Sequence, residues 1–121
     1  MELRKYKDKF SEYTYYLKDR EEVKHGIGKH YYLNGELEFE YNWKNGELDG
    51  LCKIYYENGK IKSEYNYKDG ELHGLCKRYY LNGELEFENN WKNGKRHGLF
   101  KYYEDGKIRA EYNFKNNIQI N

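Results

Sequence analysis

The segment Gly50–His73 reads GLCKIYYENGKIKSEYNYKDGELH, and near-copies of it begin at Gly26, Gly74 and Gly98. The copies share a Gly, a Lys, a Tyr-Tyr pair, an Asn-Gly or Asp-Gly dipeptide and a Lys-Asn or Lys-Asp pair, with a period of 24 residues. Self-similarity at such a period is typical of repeat proteins, in which each copy is one supersecondary unit. We therefore expect four units, at residues 26–49, 50–73, 74–97 and 98–121.

Each unit has the pattern of a β-hairpin. The dipeptides that favour a two-residue type I′ turn are Asn34-Gly35, Asn58-Gly59, Asn82-Gly83 and Asp105-Gly106. After the turn, apolar and polar residues alternate with the period of two that is typical of a strand. In the first unit this alternation predicts that Leu37, Phe39, Tyr41 and Trp43 share one face of the sheet.

Counting outward from the Asn58-Gly59 turn predicts the strand register. Cys52 then lies opposite Tyr65, and Gly50 lies opposite Tyr67, so that the glycine would make room for a large ring. On the other face the same count pairs Lys53 with Glu64, Lys29 with Glu40 and Lys77 with Glu88. The fourth unit is one residue shorter before its turn, and we therefore expect a bulge near residues 52–54 and their equivalents.

Hairpins that follow one another without an intervening helix predict an all-β fold. The expected architecture is an elongated antiparallel β-meander, a single twisted sheet to which each hairpin adds roughly 10 Å. Residues 1–25 are less regular. The echo of Ser63–Tyr67 in Ser11–Tyr15 favours a degenerate leading hairpin, while Leu3, Tyr6, Phe10, Tyr13 and Leu17 also fit the spacing of a capping helix.

The units resemble the variant MORN repeat, with the pattern GxxKxYYxNGxLxxExxWKNGxxxG over residues 26–121. The bacterial branch of that family includes antitoxins of the YwqK type, which implies a small protein that binds a toxic enzyme. Eukaryotic MORN proteins are associated with membranes and protein scaffolding. The units here lack the regular GxGxYxG spacing of the eukaryotic pattern, so the resemblance implies a protein partner more than a lipid one.

Composition excludes several classes of protein. The 121 residues include 16 Tyr but no Pro, and no apolar run approaches the roughly 20 residues that a membrane helix needs. The start, MELRKYK, has no apolar core of a signal peptide, and the two Cys fit a reducing compartment, so we expect a cytoplasmic protein. The bias toward Lys, Asn, Tyr and Ile suits an AT-rich bacterial or phage genome.

The residues that commonly carry chemistry do not form a recognisable constellation. Cys52 and Cys76 occupy equivalent places about 10 Å apart, beyond disulfide reach, and are expected to be small packed residues. His25, His73 and His97 precede the unit glycines, too widely spaced to share one metal ion. The sequence therefore predicts a non-enzymatic protein with no cofactor and no metal site.

The polar face carries the pattern that could recognise a partner. Its candidate residues form acidic stripes in the first and third units, basic stripes in the second and fourth, and aromatic anchors between them: Glu36, Glu38, Glu40, Glu84, Glu86, Glu88, Lys60, Lys62, Lys107, Arg109, Tyr31, Tyr55 and Tyr79, with Tyr102 as the aromatic candidate in the fourth unit. Solubility and cross-strand pairing are the simpler explanation of the charges, and they also discourage sheets from stacking. Exposed tyrosines, in contrast, favour a surface that a partner covers.

The leading hypothesis is a protein-binding repeat module that neutralises or scaffolds a protein partner, as an antitoxin, an immunity protein or a phage inhibitor of an effector enzyme does. A nucleic-acid-binding sheet surface is an alternative, although a net charge of +1 provides little attraction for phosphates. Membrane binding is disfavoured for the same reason. A further alternative is a structural scaffold that self-associates through open edge strands.

Overall fold

The computed structural model describes residues 1–120, and in them the backbone forms one open antiparallel sheet of thirteen strands and no helix. The strands are β1 (Arg4–Lys7), β2 (Ser11–Lys18), β3 (Glu21–Tyr31), β4 (Leu37–Lys44), β5 (Glu47–Leu48), β6 (Gly50–Tyr55), β7 (Ile61–Lys68), β8 (Glu71–Leu72), β9 (Gly74–Tyr79), β10 (Leu85–Lys92), β11 (Lys95–Glu104), β12 (Lys107–Lys115) and β13 (Ile118–Gln119).

The strands follow one another in the sheet in the order of the chain. Only the two-residue strands β5 and β8 lie off this path, where they pair with β4 and β7 respectively. Each neighbouring pair is antiparallel, so the predicted all-β meander of hairpins in a single sheet is confirmed. Residues 1–25 form β1, β2 and the first part of β3, so this segment is built of strands and contains no capping helix.

The turns of the first three units differ from that of the fourth. In the second unit Gly59 N donates to Tyr56 O at 3.0 Å and Tyr56 N donates to Lys60 O at 2.8 Å, which encloses a three-residue loop. Asn58 keeps a negative φ, whereas Gly59 has φ 88°. The type I′ prediction is therefore wrong for the first three units. Only in the fourth unit do Asp105 and Gly106 both have positive φ, 54° and 75°.

A β-bulge lies on the strand after the turn in all four units. In the second unit Ile54 pairs with Ser63 but Tyr55 pairs with Ile61, which leaves Lys62 without a cross-strand partner. The expected bulge near residues 52–54 is thus on the opposite strand of the hairpin. Side chains along a strand alternate between the two faces of the sheet. The extra residue at the bulge therefore moves the side chain that lies between the turn and the bulge to the other face. The equivalent unpaired residues are Glu38, Glu86 and Arg109.

One face of the sheet, which we call the aromatic face, holds most of the packed rings. In the first unit His30 stacks on Phe39 at 4.8 Å between centroids, and Tyr41 lies 4.7 Å from Phe39. The small residues Cys52 and Cys76 on this face are completely buried, and in the fourth unit the ring of Phe100, at the equivalent position, is 5% exposed. Leu37, which the alternation predicted for this face, is moved off it by the bulge at Glu38.

The first glycine of each unit serves the backbone and not the rings. Gly50 lies opposite Tyr67 as predicted, but its φ is 101° and a Cβ there would meet Asn42 Cβ at 3.6 Å. The glycine that accommodates a ring is Gly28, where a Cβ would lie 3.3 Å from Trp43 Nε1. The predicted room-making role is therefore found at Gly28 of the first unit, a position that Cys52 and Cys76 hold in the next two units.

Side-chain hydrogen bonds join each unit to the next. The hydroxyl of Tyr56 donates to Tyr79 O at 2.6 Å, and the amide of Asn66 donates to Leu75 O at 2.6 Å. The same two bonds recur at Tyr32, Tyr80, Asn42 and Asn90. Since a backbone carbonyl accepts each bond, the connection between units does not depend on the side chain of the acceptor residue.

Candidate functional site

The face opposite the aromatic face is crossed by a continuous row of alternating charges. The predicted pair of Lys53 and Glu64 is present, and the pairing extends across the unit boundaries because Glu40 also lies opposite Lys53. The row, which we call the Lys/Glu ladder, consists of Lys7, Glu12, Lys29, Glu40, Lys53, Glu64, Lys77, Glu88, Lys101 and Glu111. Each member is the cross-strand partner of the next, so the charge changes sign at every strand.

Tyrosine hydroxyls bind the ladder carboxylates. Tyr31 donates to Glu12 at 2.8 Å and Tyr103 donates to Glu88 at 2.8 Å, and these bonds raise the pKa of both phenols. Tyr79 donates to Glu64 at 3.2 Å, and its pKa is raised mainly by burial. Within residues 1–120 no ladder Lys forms an ion pair. The ladder ammonium groups therefore keep their capacity to bind other groups.

Beside the ladder runs a second row, in which tyrosines alternate with aliphatic residues. Tyr55 pairs with Ile61, and the equivalent pairs are Tyr31 with Leu37, Tyr79 with Leu85 and Tyr103 with Ile108. We call these eight residues the tyrosine row. On the other side of the ladder lie Ile27, Leu51, Leu75 and Leu99.

The ladder, the tyrosine row and these four aliphatic residues together make up the ladder face. Among residues 1–120 no second layer covers this face, since the chain forms one sheet, and Ile27 and Ile108 are 51% and 50% exposed. The face thus combines regularly spaced charges with half-buried tyrosines and with the exposed aliphatic side chains of Ile27, Leu75, Leu99 and Ile108.

The structure places five of the predicted candidate residues on the ladder face: Tyr31, Tyr55, Tyr79, Glu40 and Glu88. In the fourth unit the aromatic residue of this face is Tyr103. Tyr102 lies 6.0 Å from Phe87 and 6.2 Å from Tyr112, on the aromatic face. The missing residue of the fourth unit is in its turn, which shifts the Tyr-Tyr pair by one position.

The remaining candidates do not form the continuous acidic and basic stripes that their spacing predicted. The bulge residue Glu38 contacts His30 of the aromatic face at 3.2 Å, and Glu86 contacts Arg78 at 3.0 Å. The bulge residues Lys62 and Arg109 are likewise without cross-strand partners. The other four, Glu36, Lys60, Glu84 and Lys107, are exposed residues that directly follow the turns. The bulge, which no sequence signal located, is the reason for this difference.

The cysteines and histidines have structural surroundings. Burial raises the pKa of the Cys52 and Cys76 thiols, and both cysteines are free. His73 Nδ1 accepts a hydrogen bond from Asn93 N at 3.2 Å, and Asp49 accepts the equivalent bond from Asp69 N. Residues 1–120 contain no group of three His, Cys, Asp or Glu placed to hold a metal ion. His25, His73 and Asp49 thus fix turns and the cysteines fill the packed face, whereas His97 Nδ1 is buried without a hydrogen-bond partner among residues 1–120.

The 24-residue period matches a known family. The model of the MORN repeat variant matches residues 24–45, 48–69, 72–93 and 96–116, which together exceed half of the chain. The chain belongs to the MORN repeat variant family. The matches begin two residues before the glycines at which the units were counted above. No curated protein matches the chain significantly.

Repeats of the MORN family generally serve as binding modules for proteins or membranes. Across residues 1–120 no helix has the length and apolar character to cross a bilayer. A sheet whose ladder face repeats every 24 residues offers the same set of side chains several times in a row. Such an arrangement can bind an extended surface through many equivalent contacts.

Proposed function

We propose that this MORN repeat protein binds another protein through its ladder face and neutralises or scaffolds that partner without performing chemistry on it. The observation that carries the proposal is the tyrosine row beside the ladder, four Tyr–aliphatic pairs on a face with no covering layer among residues 1–120. Tyrosine is enriched among the residues that dominate binding energy at protein interfaces, and it loses little conformational entropy on docking.

The charge pattern favours a protein over a nucleic acid as the partner. The ladder cancels its own charge from strand to strand, and the whole chain carries a net charge of +1. Phosphate backbones and anionic lipid surfaces attract a field of one sign, which this face does not provide. A protein surface with alternating charges can instead form complementary contacts with each step of the ladder.

The proposal is tested by capture from the source cell with the chain immobilised, followed by two variants. Tyr55→Ala and Tyr79→Ala each remove an anchor from the ladder face, and we expect each to weaken capture at least tenfold. Tyr112→Ala is the matched control, because Tyr112 is 41% exposed and contacts Tyr102 on the aromatic face. The control should retain capture.

Two results would count against the proposal. One is the recovery of no protein at stoichiometric yield. The other is a partner that Tyr55→Ala and Tyr79→Ala release no more than Tyr112→Ala does, since that partner would bind elsewhere. Titration of single-stranded RNA and DNA at low salt provides an independent check, and we expect no saturable binding.

A further inference from the structure

The order of charges in the Lys/Glu ladder has a symmetry that a random charged surface lacks. Its ten members alternate without interruption from Lys7 to Glu111. When the row is read from Glu111 back to Lys7, each place that held a Lys in the forward reading holds a Glu, and each place that held a Glu holds a Lys. The midpoint of the row lies between Lys53 and Glu64, which are cross-strand partners.

We infer that the ladder face docks a second copy of this chain, face to face, about a two-fold axis that runs parallel to the strands between Lys53 and Glu64. This inference rests on one part of the proposed function, the use of the ladder face as a binding surface, and it names a second copy of the chain as an occupant of that face. In this arrangement Lys53 faces Glu64 of the second copy, and Lys29 faces its Glu88. A two-fold contact is isologous, so every such pair occurs twice.

The tyrosine row is compatible with the same axis. A rotation about an axis parallel to the strands keeps each residue at the same height along its strand, so the tyrosine row of one copy lies over that of the other. Tyr55 then faces Ile61 of the second copy, and Tyr31 faces its Leu85. Aromatic rings would therefore pack on aliphatic side chains, while the ladders pair in charge beside them.

The ladder ammonium groups have no competing ion pair in the monomer. Among residues 1–120 the ion pairs are Arg78 with Glu86 and Arg109 with Glu104, and His30 contacts Glu38; none of these residues belongs to the ladder. The ladder carboxylates instead accept tyrosine hydroxyls at positions 12, 64 and 88. A second ladder across the interface would supply the Lys groups with carboxylates and would leave these hydrogen bonds intact.

The available area matches what a stable dimer needs. Ten strands at about 4.8 Å span roughly 43 Å, and the three rows of the face are roughly 18 Å wide with their side chains, which gives about 800 Å² for each copy. Specific interfaces of standard size bury about 800 Å² on each partner. Because sheets twist, the contact would be closest at the centre, where Lys53 and Glu64 lie.

Charge reversal at the centre tests the inference. Wild-type protein should have about twice the chain mass of 14.9 kDa in light scattering. Lys53→Glu places Glu opposite Glu64 at both symmetric contacts, and Glu64→Lys places Lys opposite Lys53. We expect each variant alone to bind itself roughly 100-fold more weakly, from about tenfold at each of the two contacts.

A mixture of the two variants provides the decisive measurement. In a mixed dimer Glu at position 53 of one chain faces Lys at position 64 of the other, and the native Glu64 faces the native Lys53. The equimolar mixture should therefore regain the dimer mass. Lys60→Glu and Glu57→Lys are the matched controls, because they reverse the same kinds of charge at exposed positions of the turn and should leave the dimer intact. Circular dichroism of every variant checks that it is folded.

Three outcomes would overturn the inference: a monomeric wild type at millimolar concentration, a dimer that neither reversal weakens, or a mixture that remains monomeric. A dimer that neither reversal weakens would mean that the copies meet at another surface, either a sheet edge or the aromatic face. The proposed function fails separately. A monomer that still captures a protein through Tyr55 and Tyr79 refutes only this inference, and a dimer that captures nothing refutes only the heterologous partner.

Discussion

The two faces of this sheet are built from alternate residues of the same strands, yet they differ in what covers their side chains. On the aromatic face, rings from neighbouring strands cover one another and bury Cys52 and Cys76 completely. On the ladder face, apolar side chains such as Ile27 and Ile108 remain about half exposed beside charged residues. The aromatic face is therefore closely packed at its centre, although Tyr102 and Tyr112 near its end are 38% and 41% exposed. The ladder face keeps aliphatic side chains open to a partner.

The strongest test of this division compares two neighbours on β11. Phe100 contacts Trp91 at 5.6 Å and Phe114 at 4.8 Å between ring centroids, and Leu99 on the other face is 36% exposed. We expect Phe100→Ala to lower the free energy of unfolding by about 3–5 kcal/mol and Leu99→Ala by about 1 kcal/mol or less. Urea unfolding measures both, and equal losses would contradict the division between the faces.

A smaller effect distinguishes the two tyrosines of one pair. The hydroxyl of Tyr56 donates to Tyr79 O across the unit boundary, whereas that of Tyr55, on the ladder face, has no hydrogen-bond partner within residues 1–120. Tyr56→Phe should cost about 1 kcal/mol of stability, and Tyr55→Phe should cost close to none. Thermal unfolding of the two variants provides the measurement. A larger loss for Tyr55→Phe would show that the ladder face is also a stabilising surface.

The smallest effect concerns how each face raises the pKa of its tyrosines. Burial raises the pKa of Tyr41 on the aromatic face, whereas the bond to Glu88 is the main reason that the pKa of Tyr103 is raised. Glu88→Gln should therefore lower the pKa of Tyr103 toward its ordinary value of 10.0 and leave that of Tyr41 unchanged. Nuclear magnetic resonance of labelled tyrosines can follow both titrations.

These raised pKa values also fix the direction of the pH dependence. A phenol whose pKa is higher in the folded chain binds its proton more tightly there than in the unfolded chain. Its contribution to stability is complete below pH 10.0 and is lost as the pH rises through the folded-state pKa, which for Tyr13 is about 12. Tyr13→Phe should lose less stability than wild type over this range. A steeper loss of stability with pH in Tyr13→Phe than in wild type would show that the folded chain does not raise the pKa of Tyr13.

The sequence was sufficient for the meander, the turn positions and the central register, because the period and the Asn-Gly dipeptides specify them. It was not sufficient for the turn type, because a glycine with positive φ at position 59 is compatible with a two-residue turn and also with the three-residue loop that forms. The bulge does not depend on the turn type, since the fourth unit has it at Arg109 after a two-residue turn. In the first two units the bulges at Glu38 and Lys62 place Leu37 and Ile61 on the ladder face.

The candidate site was predictable in part for the same reason. Within a unit, counting from the turn paired Lys53 with Glu64 correctly. Between units the pairing of Glu40 with Lys53 depends on the short strand β5 and the positive φ of Gly50, which set where β6 rejoins β4. No short sequence motif specifies how one unit pairs with the next. The Lys–Glu pairs within each unit could therefore be predicted from the sequence, but the continuous ladder across the units could not.

The ladder has a consequence for how such a protein can change its size. Each 24-residue unit contributes one Lys and one Glu to the row, in the same order. Duplication or loss of a whole unit therefore lengthens or shortens the sheet by two strands while the sequence of charges along it stays in phase. The number of units can evolve without redesign of the surface that they present together.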